Sequence, residues 1–234
     1  MSPLLRRGPA RFREISRTDL TSHARSTRYS PDPTQGTQYR IDSGVVWWGA
    51  GPVDGPPRPT LILLHGSGRN GQSMINMWHE VAAAQGVVLI APDFDSIQGW
   101  DKGLPDPRSA LAVLAPASGL YPVDTARIVH FDHLRGGIAA QVWANRFDGP
   151  WRAVAVHAGT LSEEHVIAVE TGVPVRHYLG SVDRVFPFGP ARDAGRTIAA
   201  AGHPFELVRL EGQNHWLYER GEDIAADAWV RLEE

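Results

Sequence analysis

Several side chains able to carry out acid–base chemistry stand directly after strands predicted from the sequence. Histidine gains and loses a proton near neutral pH, and carboxylates can orient an imidazole or accept a proton themselves. In open α/β sheets, ligands bind in the crevice beyond the carboxyl ends of the strands. We therefore expect a functional crevice to be formed among the following residues: His65, Asp93, Asp132, His133, His157, Asp183 and His215.

A run of small residues, His65-Gly66-Ser67-Gly68, follows the first central strand. Small residues allow the backbone to turn tightly and to direct its N–H groups into the crevice. Such N–H groups are what an oxyanion hole needs to stabilise a developing negative charge. The alternative is an ordinary turn between a strand and a helix, without a catalytic role.

The elements that must position these residues alternate between strand and helix. Apolar runs predict strands over 60–64, 87–90, 127–131, 151–156, 173–179 and 205–210, and helical periodicity predicts helices over 72–84, 136–147, 190–201 and 222–232. Two further short strands before residue 51 are joined at Asp42-Ser43-Gly44, and long loops are expected over 92–107 and 158–172. The pattern predicts an α/β fold whose mostly parallel central sheet has helices on both faces.

Length and composition indicate one globular domain. The chain has 234 residues, 42% of them hydrophobic, with a net charge of −3 and no cysteine. This composition gives no reason to expect a nucleic acid or membrane partner, and the absence of cysteine excludes disulfides and thiolate chemistry. We predict a flexible arm over residues 1–36, one domain over 37–234, no cofactor and a cytoplasmic location. The oligomeric state stays open.

The segment from Asp124 to Gly137 resembles the strand and nucleophile elbow of the α/β-hydrolase superfamily, in which a D-x-x-R-I strand runs into G-H-S-x-G-G. His133 and the pair Gly136-Gly137 set the alignment. Asp132 then stands at the first small position, and Leu134 stands where the family has its nucleophilic serine. The resemblance covers about residues 37–234 and implies the α/β-hydrolase fold.

Two later segments extend the resemblance. Residues 180–187 are similar to the family's G-x-x-D-x-x-x-P turn, and residues 212–215 to its G-x-x-H loop. The resemblance therefore implies that Asp183 is the acid and His215 the histidine of a catalytic triad. It places the oxyanion hole at the backbone N–H groups of Ser67 and Arg135. Compact esterases without a cap domain, of the polyhydroxybutyrate-depolymerase, feruloyl-esterase and carboxylesterase kind, are the most similar branch.

An ester-like small molecule is the ligand that this resemblance implies. Gly66 and nearby aromatic side chains are candidates for binding it, although packing within the core or at its rim is the more common use of each aromatic ring. The aromatic candidates are Trp47, Trp48, Trp100, Phe186 and Trp216.

Leu134 changes the expected chemistry, because leucine has neither a proton to give nor a lone pair with which to attack a carbonyl. One hypothesis is a hydrolase homologue that is inactive or strongly impaired. A second is changed chemistry, with Asp132 as nucleophile or with His215 and Asp183 as a non-covalent acid–base pair; Ser67 is a further hydroxyl nearby. A third is a metal site in the string His130-Phe131-Asp132-His133, although the elbow itself accounts for His133. Our prediction is the first, without a metal.

Overall fold

The computed structural model describes residues 10–20, 32–94, 106–170, 172–217 and 221–233. Within them, one sheet of nine strands runs through the molecule. The strands are β1 Phe12–Arg17, β2 Thr37–Arg40, β3 Val46–Ala50, β4 Arg58–Ile62, β5 Val88–Pro92, β6 Val123–His133, β7 Trp151–His157, β8 Val175–Gly180 and β9 Phe205–Leu210.

The order of strands across the sheet is β1-β9-β8-β7-β6-β4-β5-β3-β2. The first seven strands in this order, β1-β9-β8-β7-β6-β4-β5, pair with their neighbours in parallel. The last two strands are antiparallel: β3 pairs with β5 on one side and with β2 on the other. The central strands are buried on both faces, which explains why their sequences read as continuous apolar runs. The predicted mostly parallel sheet is confirmed, and β2 and β3 form the hairpin expected before residue 51.

The described ranges contain six α-helices: α1 Gly71–Gln85, α2 Pro107–Leu111, α3 Leu114–Ser118, α4 Arg135–Arg146, α5 Phe188–Ala200 and α6 Gly221–Glu233. The four predicted helices correspond to α1, α4, α5 and α6. Sequence periodicity missed α2 and α3, because a helix of five residues is too short to show a repeat of 3.6. The loop expected over 158–172 contains a 3₁₀ turn at Glu163–His165.

The core consists of two apolar layers, one on each face of the sheet. On one face, α1 and α6 bring Trp78 and Trp229 against the strands. On the other face, α4 and α5 contribute Trp143 and Ile198. Both layers are therefore made by amphipathic helices that cover a sheet, and the polar residues at the strand ends remain for the crevice.

The expected N-terminal arm is corrected at residues 12–17, which form β1 at the edge of the sheet. Phe12 aligns with Phe205 and Arg17 with Leu210, so the strand continues the parallel ladder of β9. Glu14 accepts two hydrogen bonds from Arg192 of α5, at 2.6 and 2.8 Å. The sequence did not reveal this strand because its partner lies at the other end of the chain. Residues 1–9 and 21–31 of the expected arm lie outside the described residues.

None of the helices in the described part of the chain is both long and apolar enough to span a lipid bilayer.

Candidate active site

Leu134 occupies a sharp turn between β6 and α4. Its backbone has φ 54° and ψ −116°, a conformation that strains a residue with a side chain. The turn is fixed on both sides: the Leu134 N–H donates to the carbonyl of His157 at 3.0 Å, and the Ile138 N–H donates to the Leu134 carbonyl at 3.1 Å. A strained residue between a strand and a helix is the geometry of a nucleophile elbow.

Two glycines allow this turn to pack tightly against its neighbours. A Cβ on Gly136 would collide with the carbonyl of Leu64 at the end of β4, and a Cβ on Gly137 would collide with Val156 of β7. Only glycine leaves room for such close approaches. The elbow is therefore packed between the ends of two central strands, with Leu134 at its tip.

Asp183 and His215 come together after β8 and β9. The His215 Nδ1 lies 2.9 Å from Asp183 Oδ2, while Asp183 Oδ1 accepts the backbone N–H groups of Val185 and Phe186 at 2.7 and 2.9 Å. Burial alone would raise the pKa of Asp183, but these hydrogen bonds outweigh it and the pKa is lowered. The carboxylate is therefore ionised, and as an acceptor it requires His215 to carry its hydrogen on Nδ1.

The other ring nitrogen of His215 is Nε2. It is buried and has no hydrogen-bond partner among the residues that the structure describes. With Nδ1 protonated, Nε2 carries a lone pair, which is the atom that accepts a proton from the nucleophile in a serine hydrolase. The His215 ring lies 5.6 Å from that of His133, the residue just before Leu134. The His215–Asp183 pair therefore lies close to the residue that precedes Leu134.

The small-residue loop lies directly against this elbow. A Cβ on Gly66 would stand 3.1 Å from the Leu134 Cβ and 2.9 Å from His133. His65 fixes the loop, because its Nε2 accepts the Phe94 N–H at 3.0 Å and its Nδ1 lies 2.8 Å from the Gly66 carbonyl. Ser67 is exposed at the tip of the loop. The structure thus brings Gly66, Ser67 and Leu134 to one place, whereas His65 has a structural role.

Arg135 lies at the start of α4, so the first-turn N–H groups of that helix are directed at the elbow. Three or four such N–H groups have no acceptor within an α-helix, and the helix dipole adds positive potential there. The two segments predicted to form an oxyanion hole are therefore next to each other in space.

Asp132 lies in the core rather than in the crevice. Its carboxyl group is fully buried: Oδ1 accepts the Leu64 N–H at 2.7 Å, and Oδ2 lies 3.4 Å from His130 Nδ1 without forming a hydrogen bond. Burial raises the pKa of Asp132 to about 6, although His130 and the Leu64 N–H act in the opposite direction. Asp132 thus connects β6 to the start of the small-residue loop. The sequence-based expectation that it faces a substrate is corrected by this placement.

Four histidines surround the elbow and form what we call the histidine cluster: His133, His157, His177 and His215. The Nδ1 atoms of His133 and His157 are 3.2 Å apart, and His133 Nδ1 is also 3.2 Å from the His157 carbonyl. Since a carbonyl only accepts, His133 carries the Nδ1 hydrogen and His157 accepts on Nδ1. The hydrogen of His157 then lies on Nε2, which is buried and finds no acceptor among the described residues.

Burial keeps three members of the cluster uncharged. It lowers the pKa of His133 to about 3 and that of His177 to about 4, and the pKa of His157 falls well below its usual value. The positive potential of neighbouring histidines adds to the effect at His133 and His157. Sequence reasoning assigned no role to His177, because it lies inside a strand and only the alignment of β7 with β8 brings it beside the others.

The described residues contain no group of three or more histidine, aspartate or glutamate side chains arranged to hold a metal ion. His130 and Asp132 share one face of β6, where His130 packs against Trp143 and Trp151, whereas His133 lies with the histidine cluster. The residues of the proposed metal site therefore lie in two different places: His130 and Asp132 in the core, and His133 in the histidine cluster.

The aromatic residues proposed for ligand binding also lie in different places, and only some of them are near His215. Phe186 and Trp216 lie beside His215, with ring centroids at 5.8 and 6.1 Å. Trp47 is buried in the core, and Trp48 donates through its indole N–H to Asp93 at 3.1 Å, so neither lines the elbow. Asp93 also accepts the N–H of Gly71 at the start of α1, which gives it a structural role. Trp100 lies outside the described residues.

Neither a protein-family model nor a curated protein matches the sequence. Solved structures of Thermogutta terrifontis esterase 2, however, are similar to this chain. The form phosphorylated by paraoxon has a TM-score of 0.70 and 18% identity over 88% of this chain and 98% of that one. The native form has a TM-score of 0.69 and 17% identity over 88% and 95% of the two chains. The butyrate-bound form has a TM-score of 0.68 and 18% identity over 88% and 98%. At this identity the likeness shows the fold, which is the α/β-hydrolase fold.

Proposed function

We propose that this protein is a homologue of carboxylic-ester hydrolases that does not form an acyl-enzyme, because Leu134 stands at its nucleophile elbow. The observation that carries the proposal is the strained Leu134 backbone, packed between β4 and β7, with a His215–Asp183 pair beside it. A backbone of this conformation normally presents a reactive side chain. Here it presents an aliphatic one.

The expected loss of catalytic activity is large. Removing the serine from a Ser-His-Asp triad lowers turnover by about six orders of magnitude, and what remains comes from the oxyanion hole and binding. The oxyanion segments, Gly66-Ser67 and the start of α4, lie beside the elbow. We therefore expect an ester-like ligand to be accommodated, and covalent catalysis to be absent.

One observation favours a second candidate function. The buried lone pair on His215 Nε2 is positioned to accept a proton from a water molecule, which would then attack an ester or lactone without a covalent intermediate. No similar support exists for Asp132 as the nucleophile. Its carboxyl group is fully buried and accepts the N–H of Leu64, so a substrate carbonyl does not reach it.

Paraoxon is the probe that tests the proposal, since Thermogutta terrifontis esterase 2 has been solved in a form phosphorylated by it. We expect no added mass on this chain after treatment with paraoxon, as measured by intact-protein mass spectrometry. The Leu134→Ser variant should gain one phosphoryl group and should hydrolyse p-nitrophenyl butyrate. Leu134→Ala is the matched control, because it also shortens the side chain but provides no hydroxyl.

Labelling of the unaltered chain at any serine would refute the proposal. So would a folded Leu134→Ser variant that is neither labelled nor active. The second candidate has a different signature: hydrolysis by the unaltered chain that is insensitive to paraoxon and is lost in His215→Asn.

A further inference from the structure

The core beneath the elbow contains a buried acid–base pair that the proposed function does not use. Asp132 and His130 are two residues apart on β6, so their side chains share one face of the sheet, and both are fully buried. The Asp132 Oδ2 atom lies 3.4 Å from His130 Nδ1. Neither atom has a hydrogen-bond partner among the described residues, and the same is true of His130 Nε2. One oxygen of the carboxyl group and both nitrogens of the imidazole are therefore unsatisfied there.

An ionised carboxyl group is unfavourable in these surroundings. The rings of Trp143 and Trp151 lie beside His130, with ring centroids at 6.0 and 4.8 Å, so the pair is packed among aromatic side chains. A buried carboxylate is stable when several donors satisfy its oxygens, whereas here the Leu64 N–H, at 2.7 Å from Oδ1, is the donor. Burial accordingly raises the pKa of Asp132 to about 6. The group therefore changes its charge close to neutral pH.

Leu64 connects this pair to the elbow. Its N–H donates to Asp132 Oδ1, and its carbonyl accepts the N–H of His133 at 3.0 Å. A Cβ on Gly136 would collide with the same carbonyl, so the first turn of α4 packs directly against it. Leu64 is also the residue before the small-residue loop, which starts at His65. The hydrogen bond between Asp132 and Leu64 therefore lies where the loop, the elbow and α4 meet.

We propose that Asp132 and His130 form a pH-sensitive switch, in which the gain of one proton moves the stronger hydrogen bond of the carboxyl group from Leu64 to His130. At higher pH the carboxylate accepts the Leu64 N–H, and His130 carries its hydrogen on Nδ1, facing Oδ2. At lower pH one proton from the solvent binds to Oδ2, which donates to His130 Nδ1, and the hydrogen of His130 lies on Nε2. A hydrogen bond to a neutral acceptor is about half as strong as one to a charged acceptor, so the small-residue loop is then held less firmly.

His130 is the titratable group that acts on Asp132 within the described part of the chain. The neighbouring strands and α4 present uncharged side chains to the pair: Ile62 of β4, Val154 and Val156 of β7, and Trp143 of α4. Three further histidines stand at the ends of these strands, namely His65, His133 and His157. Burial lowers the pKa of each of them and so favours their uncharged forms. Asp132 is thus the group in this part of the core whose pKa is raised toward neutral pH.

Nuclear magnetic resonance and hydrogen exchange of the unaltered chain between pH 8 and pH 5 test the inference. The Leu64 amide proton should move upfield as the pH falls, with a midpoint near 6, because its acceptor loses its charge. Its protection against exchange, corrected for the intrinsic effect of pH, should fall by about tenfold relative to that of Leu63. The Leu63 N–H is the internal control, since it donates at 2.9 Å to the backbone carbonyl of Ile90, which does not titrate.

Two variants assign the proton to Asp132. In Asp132→Asn the acceptor of the Leu64 N–H is neutral at every pH, so the ratio of Leu64 to Leu63 protection should not change with pH and should equal the low-pH ratio of the unaltered chain. The infrared band of a protonated carboxyl group should grow between pH 8 and pH 5 in the unaltered chain by more than in this variant. His79→Asn is the control, because it removes a partly exposed histidine on α1 and should leave the midpoint unchanged.

A Leu64 amide whose shift and protection stay constant from pH 8 to pH 5 would overturn the inference, and this measurement does not depend on the folding of a variant. A Leu64 titration that persists in Asp132→Asn would overturn it as well. So would equal carboxyl bands in the two chains, since the proton would then bind elsewhere. The switch does not depend on the proposed function, because its groups lie in the core, and the paraoxon experiment tests that function separately.

Discussion

Two buried polar clusters, at different places in the sheet, differ in how completely their atoms are bonded. The first joins β1, β8, β9 and α6, and we call it the ion network: Arg17, Arg176, Tyr178, Glu206 and Asp227. In it Asp227 accepts the Tyr178 hydroxyl at 2.6 Å and the Arg176 guanidinium at 2.9 Å, and it also pairs with Arg17. The second is the histidine cluster, where the Nε2 atoms of His157 and His215 have no hydrogen-bond partner within the described part of the chain.

This difference distinguishes polar groups that stabilise the fold from polar groups that belong to a candidate binding or catalytic site. The ion network holds an edge strand and the last helix, and its charged groups are paired, as buried charges in a stable protein generally are. The histidine cluster leaves acceptors and donors unsatisfied next to a strained backbone. Groups of this kind are destabilising by themselves and are typical of binding and catalytic sites. The following experiments test this contrast.

We expect the largest effect from lowering the pH, which should decrease the free energy of unfolding through the histidine cluster before it affects the ion network. The folded-state pKa values of His133 and His177, about 3 and 4, lie below the ordinary value for histidine of about 6.5, and that of His157 is lowered as well. The unfolded chain therefore binds protons more readily. Stability is complete above about pH 6.5 and falls as the pH decreases toward 4, by up to about 1.4 kcal/mol per pH unit for each histidine. Urea unfolding between pH 7.5 and 4.5 measures this slope.

His177→Gln should reduce that slope by about one histidine's share, about 1.4 kcal/mol per pH unit, because it removes one group that titrates on unfolding. His165→Gln, at a partly exposed residue in the 3₁₀ turn, is the control and should leave the slope unchanged. Asp227 of the ion network does not contribute in this range. Its Asp227 has a lowered pKa, so the stability that it provides is lost only as the pH falls below about 4. A flat stability curve from pH 7.5 to 4.5 would contradict buried neutral histidines.

Asp227→Asn should produce the second largest effect. The amide cannot balance the charges of Arg17 and Arg176, and breaking a buried ion pair on one side is destabilising by about 3 kcal/mol or more. Chemical denaturation at pH 7.5 measures the change. Glu222→Gln, an exposed acid in the first turn of the same helix, is the control and should shift stability by about 1 kcal/mol or less. Equal effects of the two substitutions would show that the network does not stabilise the sheet edge.

Asp132→Asn should change the free energy of unfolding least, and it should increase it rather than decrease it. The pKa of Asp132 is raised from about 3.8 to about 6, so above pH 6 the ionised carboxylate destabilises the folded chain by about 2 to 3 kcal/mol. Asparagine keeps an oxygen for the Leu64 N–H, and its NH₂ group donates toward His130. We expect a gain in stability at pH 8 that disappears near pH 4, measured by urea unfolding. A loss at pH 8 would mean that the charge itself is required there.

The order of elements and the position of the elbow followed from the sequence. The alternation of apolar runs and helical periods gave the parallel sheet, because strands buried on both faces leave a clear local signal. The pair Gly136-Gly137 set the alignment that placed the turn between β6 and α4, and the structure shows why both are small: Gly136 packs against the Leu64 backbone and Gly137 against the Val156 side chain. The sequence therefore located Leu134 at the turn where the structure has it.

Features that depend on distant partners were not predictable. β1 was missed because its pairing with β9 is set by a distant partner, and its six residues show no alternation of apolar and polar side chains. Asp132 was expected in the crevice, since sequence does not show whether a residue at the end of a strand turns toward solvent or toward a neighbouring N–H. His177 was overlooked for a similar reason. Its nearness to His157 arises from the alignment of β8 beside β7, which no local spacing encodes.

The pairing of β1 with β9 also constrains how the chain is made. Phe12 and Phe205 are partners although roughly 190 residues separate them. During synthesis β1 leaves the ribosome well before β9, so its ladder position does not exist until the intervening residues have followed. Contacts of such long sequence separation form slowly, and an unpaired strand is open to wrong pairing meanwhile. The arginines and the glutamate along β1 oppose such wrong pairing, because charged side chains on an unpaired strand disfavour its association with the strands of other chains.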